Sequence, residues 1–513
     1  MSVNQAPSAV LSDEEELHKL GYAQELRRRM SGFSNFAVSF TIISILSGCL
    51  TLYGFGMNTG GPAVIVWGWP FVGIMTLFVG LAMAEVCSSY PTAGGLYYWA
   101  AKLAKTKGPA WSWFTGWFNF LGQVAVTAGI DFGAALFVNA LLSLQFGTPT
   151  YHWVTVIIYG VILMVHGLLN QFGIRLVALL NDISVWWHIT GVLIIVAVLA
   201  FVPSHHQSAG FVFGHLVNGT GLGLGYWYII PIGLLLAQYT FTGYDASAHM
   251  TEETHNAATA GPRGIVMSIV VSLFAGWLLL IGLTFAIQNY SAEVSTTSLT
   301  GVPPAQIFID AIGTTGAKLL LLIVVGAQLF CGMSSVTANS RMIYAFSRDG
   351  ALPGSAFWHR VNHRTRTPTN AIWLAAGFAF VLGLPYLWNY AAYAAVTSIA
   401  VIGLYIAYVL PTFLRLRQGE SFQRGPWHLG QWSYLVGWTA VIWVGIITIL
   451  FMLPQAGPIT WATFNYAVFA VAAVLGFAGI YWAVSAKNWF TGPKVQGTAE
   501  ELAAIEHELE APV

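Results

Sequence analysis

Apolar residues in this chain do not alternate with polar ones, nor do they recur on one helical face. They run on in long stretches separated by short polar segments. A helix rising ~1.5 Å per residue needs ~20 apolar residues to cross the hydrocarbon core of a bilayer. Twelve such stretches are predicted, near 34–58, 63–87, 114–144, 153–171, 177–202, 228–250, 264–287, 317–345, 370–386, 391–413, 432–453 and 461–485. Their continuity excludes a β-barrel, whose segments would be ~10 residues long and alternating. The predicted fold class is an all-α polytopic membrane protein.

Composition agrees. Of 513 residues, 56% are hydrophobic and 8% charged, against roughly 25% charged in an average soluble domain. Twenty basic residues balance twenty acidic ones, which excludes the positive field of a nucleic-acid binder. The three cysteines, Cys49, Cys87 and Cys331, all lie in apolar stretches, so no disulfide framework is implied. No metalloprotease or P-loop motif occurs, and the Gly219–Gly225 run lacks dinucleotide-site spacing. The chain is therefore not expected to be an enzyme, and no cofactor is expected beyond a coupling ion.

Charge placement orients the chain. Residues 1–30 are polar and lack the apolar core of a cleavable signal. With both tails on one side, Lys102, Lys105, Lys107, Arg175, Arg263, Arg348, Arg366 and Arg415 fall on that same side, and only Lys318 on the other. Lys and Arg favour the cytoplasmic face, so both termini are expected in the cytoplasm of a plasma-membrane protein in contact with lipid. The layout is a tail over 1–30, a membrane domain over 31–486 and a second tail over 487–513. Trp67, Trp69, Trp111, Trp113, Trp117 and Trp153 are expected in interfacial belts.

Two apolar stretches carry interruptions. The first contains Ser44-Ile45-Leu46-Ser47-Gly48-Cys49, and the sixth contains Phe241-Thr242-Gly243-Tyr244-Asp245. Glycines alone are explained as readily by close helix packing. The pairing matters more, because interrupted helices at matching places in two halves point to a transporter's midplane site. Free N–H groups at a break attract a carboxylate, and free carbonyls attract an ammonium or a cation.

The run Ala84-Glu85-Val86-Cys87-Ser88-Ser89-Tyr90-Pro91-Thr92-Ala93-Gly94-Gly95, with Asn58-Thr59-Gly60-Gly61-Pro62, Thr251-Glu252-Glu253-Thr254 and Arg348-Asp349-Gly350-Ala351-Leu352-Pro353, resembles the amino acid–polyamine–organocation permeases. More narrowly it resembles their amino acid/choline transporter branch, over residues 31–415. The resemblance implies a LeuT-like fold of two inverted five-helix repeats, about 34–202 and 228–413, with two further helices over 432–485, working by alternating access. It implies that Ser47, Gly48 and Cys49 offer amides to a substrate carboxylate. Phe241, Thr242 and Gly243 would offer carbonyls to its amino group. Leu46 stands where the family often has the first glycine of Gly-Ser-Gly.

Ionisable residues inside spans are functional candidates. Asp131 lies midway along the third span between Gly129 and Gly133; on the family pattern it lines the substrate cavity, holding an amine or carrying a proton. His188 stands where several family members have a lysine that replaces a coupling sodium, with Asp182 in the preceding amide place. A histidine of ordinary pKa ~6.5 suits a proton carrier. Ser334 and Ser335 match paired hydroxyls that bind sodium in relatives of this architecture, and Ser335 is also a substrate-site candidate. Asp245 is expected to cap the second half-helix of the sixth span and to join an extracellular gate. Glu85, Glu252 and Arg348 suggest cytoplasmic gate pairs. The expected function is import of an amino acid or amino-acid-like amine, with protons. A sodium symporter, an exchanger, a gamma-aminobutyrate, choline or polyamine permease, and a substrate sensor remain alternatives.

Overall fold

Length decides most of the architecture. The computed structural model describes residues 12–172, 174–294, 301–388 and 391–510. Among them, eleven helices are long and apolar enough to cross a membrane. Span one covers Gly32–Thr51, span two Pro62–Ser89, span three Gly108–Phe146, span four His152–Phe172 and span five Ile174–Phe201. Span seven is Ala257–Phe285, span eight Pro303–Arg348, span nine Thr369–Gly383, span ten Ala391–Gln418, span eleven Ser433–Leu450 and span twelve Ala467–Val484. The remaining stretch, span six, is divided into Tyr226–Gly233, Leu235–Thr240 and Ala246–His249. The twelve predicted stretches thus appear as ten helices and two broken ones, span one turning at Ser44 and span six divided into three pieces. The only strands among the described residues are Thr59–Gly60 and Val217–Asn218, paired antiparallel beside the start of span two.

Small residues let the central helices approach. A Cβ on Gly122 of span three would lie 2.6 Å from the Leu404 backbone nitrogen of span ten, and one on Gly116 would lie 2.2 Å from the Phe346 ring of span eight. Such contacts bring backbones together where lipid gives no hydrophobic drive for helix association. Spans four, five, seven, nine, eleven and twelve are each less than half buried over their most apolar window.

Both tails meet on one face. Gln496 N–H donates to the Gly21 carbonyl at 2.9 Å, and His18 lies 2.8 Å from Glu506. The first tail helix, Asp13–Leu20, opens with a capping box in which Ser12 and Glu15 each accept the other's backbone N–H.

The tryptophan expectation is corrected in part. Trp67 and Trp153 are about half exposed, as belt residues should be, but Trp69, Trp113 and Trp117 are buried. Trp69 donates to the Leu273 carbonyl (2.8 Å) and Trp113 to the Ala478 carbonyl (3.0 Å). Those carbonyl partners, on neighbouring spans, satisfy the indole N–H away from the interface.

Candidate functional site

The first break falls at Ser44, the first residue of the predicted interruption and three residues before the predicted amide donors. Span one is helical over Gly32–Ile43, turns at Ser44, and resumes at Ile45. Ser44 has φ +33°, a left-handed conformation that costs a non-glycine residue energy. Its hydroxyl is 2.7 Å from His188 Nε2. No side chain caps the second half-helix, and the amides of Ser47 and Gly48 both donate to the Ser44 carbonyl, at 2.8 and 3.0 Å. The predicted donors Ser47 and Gly48 are therefore already engaged, and the leading amides of this half-helix are those of Ile45 and Leu46.

The second break is where the sequence placed it. Span six ends its outer piece at Thr240, and Gly243 takes φ +84°. Phe241 gives its carbonyl to Tyr405, Gly243 N–H donates to the Tyr408 hydroxyl (3.2 Å), and the Gly243 carbonyl accepts from Ala246 (3.2 Å). Of the three predicted carbonyls, only that of Thr242 accepts no hydrogen bond among the described residues. The Thr242 hydroxyl donates to the Tyr239 carbonyl at 2.7 Å.

The two breaks touch. A Cβ on Gly48 would lie 2.5 Å from Thr240 Oγ1, and one on Gly243 would lie 2.2 Å from Ile42 Cγ2. Each break thus fits a glycine against the other broken helix. The halves toward the tails are stitched together as well. Asn35 donates to the Ser247 carbonyl (2.9 Å), and Ser39 donates to the Tyr244 carbonyl (2.9 Å) while accepting from Ser247 N–H (2.9 Å). Ser47, Cys49, Phe241 and Thr242 are all buried, so the gap between the breaks is closed to solvent.

Asp245 departs from its expected role. It stands at the head of the Ala246–His249 turn but makes no side-chain cap. Its carboxylate instead accepts from Tyr408 (2.7 Å) and Gln123 (2.7 Å) and lies 3.2 Å from His249. Four residues along the chain His249 continues toward Glu252 and Glu253, so Asp245 lies on the tail side of the break and not at an external gate. The reason is tertiary: a tyrosine and a glutamine from spans ten and three compete for the carboxylate.

His188 and Asp131 have different partners. His188 Nδ1 lies 2.8 Å from the Ser184 carbonyl, which can only accept, so Nδ1 carries the proton. Neutral His188 therefore accepts from Ser44 through Nε2. Asp182, in the amide place, accepts from Ser34 Oγ (3.2 Å) one turn nearer the tails. Asp131 Oδ1 is 3.1 Å from His166 Nδ1 of span four, both buried, and a Cβ on Gly332 would fall 1.7 Å from that oxygen. Ser334 donates to Asn181 (2.5 Å) and to the Phe330 carbonyl, whereas Ser335 shares a 2.9 Å bond with Thr127. The two hydroxyls point to different helices and do not converge on one cation. Sequence reasoning missed Ser44, His166, Gln123, Tyr405 and Tyr408. The rule that ionisable residues inside spans are functional would have found His166; the others have no local signature.

On the tail side, Arg348 pairs with Glu252 at 3.1 Å and Arg341 with Glu253 at 2.8 Å. Glu85 pairs with Arg415 at 3.0 Å instead of joining Arg348. The first tail lies over these pairs: the Arg348 guanidinium sits 3.9 Å from the centre of the Tyr22 ring, and the Tyr22 hydroxyl donates to Asp349 (3.1 Å). Burial holds the Tyr22 hydroxyl well above its ordinary pKa, and the Asp349 charge adds to it. On the opposite side a recess of about 710 Å³ reaches Phe55, Thr59 and Ala395. The side bearing the tails is thus the more heavily closed.

A family model described as amino acid permease matches residues 30–475. Amino-acid permease BAT1 of Arabidopsis thaliana is 46% identical over 500 residues, covering 94% of this chain and 96% of its own. The BAT1 homolog of Oryza sativa is 43% identical over 492 residues, 93% of this chain and 94% of its own. The GABA-specific permease of Saccharomyces cerevisiae is 33% identical over 495 residues, 94% of this chain and 86% of its own.

Proposed function

We propose, from the premise that this chain belongs to the amino acid permease family and is a transporter and not an enzyme, that it imports a zwitterionic amino acid with protons across the cytoplasmic membrane, both tails inside. The observation that carries this reading is the contact of the two breaks at Gly48 and Gly243. A substrate seated there meets the start of one half-helix and the end of another, whose partial charges are opposite. The carboxylate takes the leading amides near Ile45, beside Ser47, Gly48 and Cys49. The amino group takes the Thr242 carbonyl. The printed names of the relatives agree, since an amino acid and GABA both carry an amine and a carboxylate.

Coupling is assigned to His188. Protonating Nε2 turns it from acceptor to donor toward Ser44, the residue on which span one pivots. The proton thereby favours one arrangement of the two halves of span one over the other, which is how a ligand shifts a two-state equilibrium. Asp131, held by His166, is the second proton acceptor. The divergence of Ser334 and Ser335 supports proton over sodium coupling. In this scheme the inner halves of spans one and six, stitched through Asn35, Ser39 and Ser247, move as the inner gate of two inverted repeats.

The test is uptake into vesicles of purified protein. An imposed pH gradient, inside alkaline, drives accumulation of an amino acid above the external level without sodium. Accumulation that follows a sodium gradient and ignores pH contradicts the coupling.

A further inference from the structure

A cavity of about 200 Å³ opens on the tail side, between the first tail, the start of span five, the end of span six and the loop after span eight. Four arginines line it: Arg27, Arg29, Arg175 and Arg366. Its one carboxylate, Glu253, already pairs with Arg341. Arg366 donates to the Glu25 carbonyl at 3.0 Å. The side chains of Arg27, Arg29 and Arg175 are exposed and make no hydrogen bond or ion pair among the described residues. Three uncompensated guanidiniums at one mouth are a site for an anion with several oxygens, and phosphate geometry suits the guanidinium fork.

The wall is apolar behind that charge. Val177, Ala178 and Met250 line the interior. The same turns of span five turn Leu176, Leu179 and Ile183 outward, each 42–55% exposed, on the membrane-facing surface. Charge at the mouth thus runs directly into a lipid-facing helix, at the level where Arg175 opens span five. A free phosphate explains the arginines but not that continuity. We propose that this cavity seats the phosphate of an anionic phospholipid from the tail-side leaflet, tying the first tail to span five. Basic pockets between helices on this face take such headgroups.

The experiment reconstitutes the full chain in phosphatidylcholine nanodiscs with or without phosphatidylglycerol and measures retained phosphatidylglycerol by native mass spectrometry. A parallel arm adds inorganic phosphate to the sample containing phosphatidylglycerol, and a variant carrying R27Q, R29Q and R175Q together sets the background. Parent protein is expected to retain phosphatidylglycerol, and R175Q, R29Q and R27Q are expected to lose roughly fivefold each in retention. R175K keeps the charge and is expected to lose less than R175Q. These side chains hold nothing else in the fold, so the variants are expected to unfold at the parent's temperature. Equal retention by parent and the triple variant overturns the site. Retention by the parent that inorganic phosphate displaces to the level of the triple variant overturns the lipid as its occupant, leaving a soluble phosphate.

Discussion

The two breaks face each other but are built differently. Break six is made of backbone that only glycine accommodates, at Gly243, and charged or aromatic groups brace it: Asp245, His249, Tyr405 and Tyr408. Below it, Glu252 and Glu253 are locked to Arg348 and Arg341. Break one is made of a strained serine whose hydroxyl meets the titratable His188, with Cys331 Sγ donating to the Ile42 carbonyl beside it. Similar interruptions here carry opposite jobs. A break braced by many fixed partners is a frame, and a break whose turn residue meets a group that a proton converts from acceptor to donor is a switch.

Substitution is expected to cost most at the frame. Arg348→Ala leaves Glu252 buried without its partner, and such removals cost about 3–5 kcal/mol; a large fall in unfolding temperature in detergent is expected. Gly243→Ala puts a methyl against Ile42 in a left-handed backbone, expected to cost roughly 2–4 kcal/mol and to abolish uptake. Wild-type stability in either variant would show that break six is not rigidly framed.

At the switch the effects are expected in transport and not in stability. His188→Gln keeps a hydrogen-bonding partner for Ser44 but cannot be protonated; binding of substrate is expected to persist while pH-driven accumulation is lost. Parent-like accumulation by this variant removes His188 from coupling. Ser44→Gly relieves the strain of φ +33° but deletes the bond, two opposing terms of about 1 kcal/mol each. Its unfolding temperature is therefore expected near the parent's, with the pH dependence of uptake flattened.

A pH-dependent effect lies outside both breaks. Burial pushes Glu293, in the loop before span eight, from 4.5 up to about 7, against two backbone N–H bonds that lower it. A carboxyl raised in the folded state binds its proton more tightly there than when unfolded. Its stabilisation is present in full below pH 4.5 and is lost as pH rises to about 7. Glu293→Gln is expected to flatten that slope in unfolding measured across pH, and an unchanged slope would assign it elsewhere.

Much of this was legible in the chain. Twelve crossings follow from apolar length alone, because the bilayer fixes the length a helix must reach. Break six was legible because Gly243 announces a left-handed turn. Break one was read as an interruption beginning at Ser44 with its free amides at Ser47-Gly48-Cys49; the turn is at Ser44 itself, where a contact from span five meets an unfavourable backbone. That contact is 144 residues away in sequence and leaves no local trace. The partners of Glu85 and Asp245 were unreadable for the same reason: each had several cations or hydroxyls within reach of the topology, and packing chose between them. Gly48 was singled out for room around a carboxylate; its nearest neighbour is the Thr240 side chain of the other broken helix.

The central claim is that one ligand spans both breaks, carboxylate on span one and amine on span six. Its most direct test is thermal unfolding of the purified protein against neutral and basic amino acids, gamma-aminobutyrate, ethanolamine, choline and polyamines. A ligand at 100 times its dissociation constant stabilises by about 2.7 kcal/mol when only the folded state binds it. The account predicts stabilisation by compounds that carry both an amine and a carboxylate, lost in Gly48→Val. Stabilisation by choline or polyamines, which lack a carboxylate, would contradict it and move the anchor to Asp131.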